Sequence, residues 1–285
     1  MVRLAVRAPA EAAERVLAAM SELAPEGFEQ VDGDGYVEFA LYGAPGELPE
    51  LPEGEAEVAG VTVSVSGSEV PDDWEERWKR FHVPILIGGE LYVRPPWEEP
   101  PLRPGVHDIA IDPGRAFGTG THPTTRLCLE LLLELRDDLG PGRSLVDLGC
   151  GSGVLSIAAS KLGFGPVTAV DSDREAIAAT DRNARANAVR LDRLERVNLR
   201  EQLPPGADVV VANLTRPLLI RIAGLLHTEP PRALVLSGLL DHEGDELASA
   251  FAPLVERRRI NLRGWTAVEL RRPRPRGPSP ARRCP

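Results

Sequence analysis

The sequence predicts a doubly wound α/β domain with a smaller α+β unit at its amino end, and three observations carry that prediction. From about Val106 onward, apolar runs of strand length alternate with stretches of helical periodicity, the pattern of a parallel sheet covered on both faces. One strand-to-helix junction, Val146-Asp147-Leu148-Gly149-Cys150-Gly151-Ser152-Gly153-Val154, is dense in glycine, as ligand-binding turns at the carboxyl ends of such strands are. The first 70 residues stand apart in charge, with fourteen acids against three arginines in a chain whose overall net charge is −10.

A length of 285 residues allows one large domain or two modest ones. With 42% hydrophobic and 27% charged residues, the composition excludes collagen-like, wholly disordered and coiled-coil classes. No run approaches the roughly 18 apolar residues of a membrane span, and the first residues lack the apolar core of a signal peptide, so a cytoplasmic protein with no membrane partner is expected. Cys128, Cys150 and Cys284 form no CxxC pair and the five histidines show no HxH or HxxxH spacing, so neither a disulfide framework nor a metal is expected.

Residues 1–70 read as an acidic α+β unit. A strand is expected near Val2–Val6, a helix from about Pro9 to Leu23 with Ala12, Val16, Ala19, Met20 and Leu23 at helical spacing, and strands near Phe28–Val31 and Tyr36–Tyr42 around the turn Asp32-Gly33-Asp34-Gly35. The stretch Gly43–Gly54 is too broken by proline for a long helix, and Val61–Val65 reads as a closing strand. Such an acidic unit repels nucleic acid and attracts a lysine-rich protein, or serves solubility alone. Residues 71–105 read as a linker in which Trp74 and Trp78 share one face of a short helix, as anchors onto a neighbouring domain or as a stacking surface.

In 106–270, strands are expected at Ser144–Leu148, Val167–Val170, Val209–Ala212 and Ala233–Leu236, with helices near Val154–Leu162, Asp173–Asn187 and Pro217–Leu226. Glu256–Leu262 and Trp265–Leu270 have no helix between them and read as a terminal antiparallel pair. Residues 271–285, with six arginines and five prolines, read as a disordered basic tail, either an RNA-binding extension or an inert one.

The chemistry concentrates in two places. Gly149, Gly151 and Gly153 make GxGxG rather than the GxGxxG of dinucleotide sites, which argues against a pyrophosphate ligand, and no P-loop lysine follows. Asp171 ends the second strand 22 residues after Gly149, where a carboxylate accepts hydrogen bonds from two ribose hydroxyls. Ser172 and Glu175 read as a capping box for the next helix. Strand, glycine turn, helix, strand and acid in this order point to a nucleoside ligand without a pyrophosphate. A second block, Phe117-Gly118-Thr119-Gly120-Thr121-His122-Pro123-Thr124-Thr125, precedes an apolar helix with Leu127, Leu131 and Leu135 at i+4 spacing.

Asp147–Gly153 with Asp171 resembles the cofactor-binding half of the class I S-adenosylmethionine-dependent methyltransferases, and Phe117–Thr125 resembles the signature of the PrmA family. The similarity continues through Trp74–Trp97, Ala212-Asn213-Leu214, Pro217-Leu218 and Ser237-Gly238. It implies a seven-stranded Rossmann-like methyltransferase sheet beside a small ferredoxin-like domain, S-adenosyl-L-methionine as cofactor, and methylation of lysine or amino-terminal groups of ribosomal protein L11. By the resemblance Thr125, Gly149, Asp171 and Asn213 contact the cofactor, with Asp147 and Gly151 in the same turn. His122 is a candidate catalytic base or a loop-shaping residue, Phe117 a candidate wall for the accepting amine, and Asn213 a candidate contact for cofactor or amine, or a turn former. A monomer without a nucleic-acid substrate is expected. Leu214-Thr215-Arg216 departs from the small apolar residues usual there, so Arg216 is expected to alter the substrate pocket, and Gly43–Gly54 falls where a second helix is usual. The alternatives are a methyltransferase acting on another protein or small amine, a nucleic-acid methyltransferase, disfavoured by the missing Asn-Pro-Pro-aromatic run, a non-catalytic ribosome-binding factor, and an oxidoreductase, disfavoured by the glycine spacing.

Overall fold

The computed structural model describes residues 2–23, 28–33, 35–43, 48–49, 51–69, 82–101, 103–113, 120, 122–226 and 230–273. The chain divides into two compact units, Met1–Phe81 and His82–Pro285.

In the first unit, β1 (Val2–Pro9) leads through a 3-10 turn (Ala10–Ala12) into α1 (Ala13–Leu23), followed by β2 (Glu29–Asp32), β3 (Tyr36–Gly43), β4 (Gly54–Val58) and β5 (Val61–Glu69). The strands form one antiparallel sheet in the order β2-β3-β1-β5-β4. Alternation along β1 and β3 sends Leu4, Val6, Val37, Phe39 and Leu41 to one face, where Val16 and Met20 of α1 complete the core. The opposite face places Glu38 across from Arg7 and near Arg3, and the buried carboxylate pairs with both guanidiniums. Burial pushes the Glu38 carboxyl up, but the hydrogen bonds and charges of Arg7 and Arg3 outweigh it and hold it below its ordinary value. β4 was not legible in the sequence, because its Gly-Glu-Ala-Glu-Val run buries only Val58.

The second unit opens with β6 (Ile85–Ile87), β7 (Leu91–Arg94) and β8 (His107–Ala110), a small sheet in which β6 and β7 are antiparallel and β7 and β8 parallel. Two of these strands lie inside the stretch expected to be a linker, and Ile87, Leu91 and Val93 are buried in the core of this unit. The proline-rich flanks hid two short apolar runs. Trp74 and Trp78, and the helix expected to carry them, lie outside the described residues.

There follow α2 (Pro123–Leu139), β9 (Leu145–Leu148), α3 (Val154–Lys161), β10 (Val167–Asp171), α4 (Arg174–Ala186), β11 (Arg193–Arg196), β12 (Val209–Asn213), α5 (Arg216–Leu226), β13 (Ala233–Leu240), α6 (Gly244–Ala250), β14 (Val255–Leu262) and β15 (Trp265–Arg271). They build a mixed sheet in the order β11-β10-β9-β12-β13-β15-β14. The first five are parallel, and β15 is antiparallel to both neighbours, the terminal pair foreseen from the sequence. Adjacent residues of β9 enter opposite layers, Leu145 packing with α2 and α3 and both Val146 and Leu148 with α5 and α6, so the sheet is covered on two faces. β11 was missed because its Arg-Leu-Glu-Arg sequence lies at a solvent-exposed edge, where no apolar period is needed.

β9 runs to β10 on one side, and β12 lies on its other side. The strand order reverses between β9 and β12, which opens a crevice at their carboxyl ends where open α/β sheets bind ligands.

Candidate active site

The glycine turn leaves β9 at this crevice, and backbone bonds fold it back onto β10. The amides of Gly149 and Cys150 both donate to the Val170 carbonyl, at 2.8 and 3.0 Å, and Gly153 donates to Cys150 at 2.7 Å. Gly151 donates to Oδ2 of Asp171 at 3.0 Å, while Oδ1 of the same carboxylate accepts from Asp173 at 3.0 Å. Four amides of the turn are therefore spent on protein acceptors. A phosphate-binding turn needs such amides aimed outward as a nest for an anion, and these four are not available for one.

The helix α4 holds the turn from beneath. The Thr180 hydroxyl donates to the Gly151 carbonyl at 3.0 Å, and Nδ2 of Asn183 donates to the Ser152 carbonyl at 2.8 Å. Sequence reasoning passed over both residues. Their signal was two polar side chains three apart on the helical face that also carries Ala176, Ala179 and Ala184, and both are buried. The cap of α4 is Asp173, whose carboxylate accepts from the Glu175 amide at 2.9 Å, and not the expected Ser172–Glu175 box; a carboxylate one residue later takes the capping position.

Gly153 sits at φ +83°, and a Cβ there would lie 3.2 Å from the Thr180 Cα and 2.9 Å from its Cγ2. Gly153→Ala should cost about 1–3 kcal/mol in left-handed strain alone, and the backbone of α4 has little freedom to retreat. Chemical denaturation should show that loss in the folding midpoint; an unchanged midpoint would mean that turn and helix are not locked together.

Asp147 lies on β9 facing α2 and α3 and is fully buried. Its Oδ2 accepts from the Ser156 hydroxyl at 2.5 Å, and its Oδ1 has no hydrogen-bond partner among the described residues. Burial pushes this carboxyl up to about 7, against the pull of Ser156 and with a smaller push from Asp171. An orphaned buried carboxylate oxygen beside the turn is the electrostatic counterpart of a cationic ligand group.

Across the crevice, α2 starts at Pro123, with fixed φ suited to a first turn. His122 caps it: Nδ1 lies 2.7 Å from the Thr124 hydroxyl and accepts from the Thr124 amide at 3.4 Å. Its ring meets Trp265 edge-on at 5.1 Å between centroids. Burial pushes the imidazole below its ordinary value, and accepting through Nδ1 requires the neutral ring. The geometry gives His122 a capping role. Thr125, buried in the first turn, accepts at Oγ1 from Nδ2 of Asn213 at 3.3 Å, joining the start of α2 to the end of β12.

The structure thus gathers Asp147, Gly149, Gly151 and Asp171 around one turn and pairs Thr125 with Asn213. Phe117 lies outside the described residues. Arg216, the departure that bears on the substrate pocket, pairs with Glu246 of α6 at 2.6 Å on the exposed surface. Leu214 is the neighbour that shapes the site, for its Cδ2 would lie 2.4 Å from a Cβ on Gly149. Cys128 and Cys150 are buried, and burial together with Asp147 raises both thiols, so neither is a ready nucleophile. Among the described residues no group of three potential ligands is placed to hold a metal ion, and no helix is long and apolar enough to cross a membrane. A charged cleft between Glu134, Asp138, Arg258, Glu269 and Arg271 is satisfied by its own ion pairs, Arg258–Glu134 at 2.7 Å and Arg271–Asp138 at 2.6 Å.

Fold and site together define an α/β protein with a crevice at its switch point and, among the described residues, a glycine turn whose amides are engaged by protein acceptors. Residues 50–273 match the family model described as ribosomal protein L11 methyltransferase (PrmA), and the chain belongs to that family. It is 44% identical over 183 residues to the ribosomal protein L11 methyltransferase of Vibrio parahaemolyticus, a match covering 63% of this chain and 60% of that protein. With the Pseudomonas putida protein of the same name identity is 40% over 227 residues, covering 78% of this chain and 73% of the relative. A solved ribosomal protein L11 methylase from Lactobacillus delbrueckii subsp. bulgaricus superposes with a TM-score of 0.61 at 27% identity, covering 67% of this chain and 99% of that one. The chain thus spans about three fifths of the length of the Vibrio relative.

Proposed function

We propose that this chain is an S-adenosylmethionine-dependent protein methyltransferase that methylates lysine or amino-terminal groups of ribosomal protein L11. The observation that carries the reading is the crevice itself, in which Asp171 is fixed by Gly151 opposite the Thr125–Asn213 pair, in a chain of this family. The names of the relatives supply the acceptor.

The residues present suit the cofactor. S-adenosylmethionine, when bound, supplies an electrophilic methyl group on a sulfonium and carries no phosphate. Asp171 would take ribose hydroxyls, the Gly149–Gly153 turn would lie against the nucleoside, and the orphaned Asp147 oxygen suits a cationic group in the cofactor. Thr125 and the start of α2 would face the cofactor's carboxylate.

The chemistry asked of the protein is alignment. Displacement at a methyl group is in line, so the barrier falls when the accepting nitrogen is held on axis with its lone pair exposed. A lysine ammonium must first lose its proton, and desolvation lowers its pKa without a dedicated base. His122 serves by capping α2 rather than by taking that proton, since its Nδ1 is engaged with Thr124. Asn213, with donor and acceptor on one carboxamide, orients the amine or the cofactor, and by family resemblance Phe117 is the candidate wall for the accepting amine.

We read residues 1–70 as a ferredoxin-like recognition module in which Gly43–Gly54 falls where a second helix is usual, followed by a linker that ends before β6, a catalytic domain ending near 270 and a basic tail. Its fourteen acids against three arginines, two of which pair with Glu38, favour a lysine-rich acceptor over nucleic acid. A cytoplasmic monomer fits this role.

The test is to mix the protein with S-adenosylmethionine and L11 and read the acceptor's intact mass and fragments. Mass steps of whole methyl groups on amines are expected; unmodified L11 despite measurable cofactor binding would mean another acceptor. Deleting residues 1–70 should spare cofactor binding and abolish L11 methylation, and a truncated protein that methylates L11 at full rate would refute the recognition role.

A further inference from the structure

Asn183 lies in the middle of α4, is 3% exposed, and uses both ends of its carboxamide. Nδ2 donates to the Ser152 carbonyl in the glycine turn at 2.8 Å, and Oδ1 accepts from the Asp112 amide at 3.1 Å, beyond the end of β8. One side chain therefore ties the turn after β9 to the backbone that leaves β8. One turn further along, Asn187 binds the same segment, accepting from the Ala110 amide at 2.9 Å and donating to its carbonyl at 2.6 Å, without touching the glycine turn.

Two asparagines thus fasten β8 to α4, and only one of them reaches the site. Fastening alone needs no more than Asn187, whose carboxamide already meets both backbone groups of Ala110. The second contact of Asn183 falls on the Ser152 carbonyl, two peptide units beyond the one whose amide is held by Asp171, with the Gly151 carbonyl between them held by Thr180. A shift of the Ser152 carbonyl moves the Gly151 amide and with it the carboxylate that receives the ribose.

We propose that Asn183 is a positioning residue that sets cofactor affinity and couples occupancy of the glycine turn to the backbone at Asp112. The inference rests on the reading that the turn binds S-adenosylmethionine. Binding at the turn steadies the Ser152 carbonyl, which steadies the carboxamide and so the Asp112 amide it accepts from.

Calorimetric titration with S-adenosylmethionine and thermal unfolding of wild type, Asn183→Ala and Asn187→Ala test this together. Both variants should lower the unfolding temperature by a similar amount, but Asn183→Ala should raise the cofactor Kd at least tenfold whereas Asn187→Ala should change it less than twofold. Equal Kd shifts in the two variants, or none in Asn183→Ala, would overturn the proposal. Should Asn183→Ala fail to fold, the wild type decides by hydrogen exchange: saturating cofactor should slow exchange of the Asp112 amide, and an unchanged rate would overturn the coupling. A wild type that does not bind S-adenosylmethionine would instead defeat the reading of the site, whereas binding with an unresponsive Asp112 defeats only the role given to Asn183.

Discussion

Asp171→Ala should weaken S-adenosylmethionine binding by two to three orders of magnitude while leaving a folded protein. A hydrogen bond to a charged acceptor contributes about 1.5–3 kcal/mol, and a carboxylate bridging two ribose hydroxyls makes two, so at most roughly 3–6 kcal/mol is at stake, and the lower half of that range is about two to three orders of magnitude in Kd. The variant also strands the Gly151 and Asp173 amides, which the carboxylate now accepts at 3.0 Å each. Asp173→Ala separates the two consequences. It removes the cap on the Glu175 amide at a cost of about 1 kcal/mol in stability, and it should leave cofactor affinity alone. Titration calorimetry on both variants reads the contrast directly. Binding by Asp171→Ala within threefold of wild type would remove Asp171 from the ribose site and leave it a turn-holding residue.

What could be read in the sequence follows from which residues carry more than one signal. The strands that became β9, β10, β12 and β13 are buried on both faces, so their apolar runs are unbroken and bounded by turns. Gly149, Gly151 and Asp171 announce themselves by spacing along a strand-turn-helix-strand unit. β11 and β4 lie at sheet edges, where solvation removes the apolar period that would have marked them. α6 is seven residues long with one large apolar side chain, too short for a periodic pattern. Thr180 and Asn183 act through tertiary hydrogen bonds to carbonyls about 30 residues earlier, and no local pattern encodes those. For His122 the sequence leaves proton transfer and loop shaping both open, and the structure shows its side chain accepting from the Thr124 amide as the cap of α2. The partner of Arg216 was equally illegible, since Glu246 lies on α6, 30 residues further along.

Asp147→Asn should shift stability and cofactor binding in opposite directions. In the folded protein the Asp147 carboxyl is raised from 3.8 to about 7, so between those pH values the native state holds a proton that the unfolded chain has released. Stability then falls as pH rises through that window and levels off above about 7, where the native state carries a buried anion with one oxygen unpartnered. His122, lowered by burial, titrates with the opposite sign, so the quantity to measure is the difference between wild type and variant across pH 4–8. That difference should be small at pH 4 and grow to a few kcal/mol in favour of Asn by pH 8, since each pKa unit corresponds to about 1.4 kcal/mol and the buried amide forfeits part of it. The same substitution removes the negative charge offered to a cationic cofactor, so affinity for S-adenosylmethionine should drop tenfold or more at pH 8, and wild-type binding should tighten from pH 6 to 8 as Asp147 ionises. General damage to the fold would lower both quantities together. A variant less stable than wild type at pH 8 would show that the Ser156 contact, made at 2.5 Å, outweighs the burial of the charge.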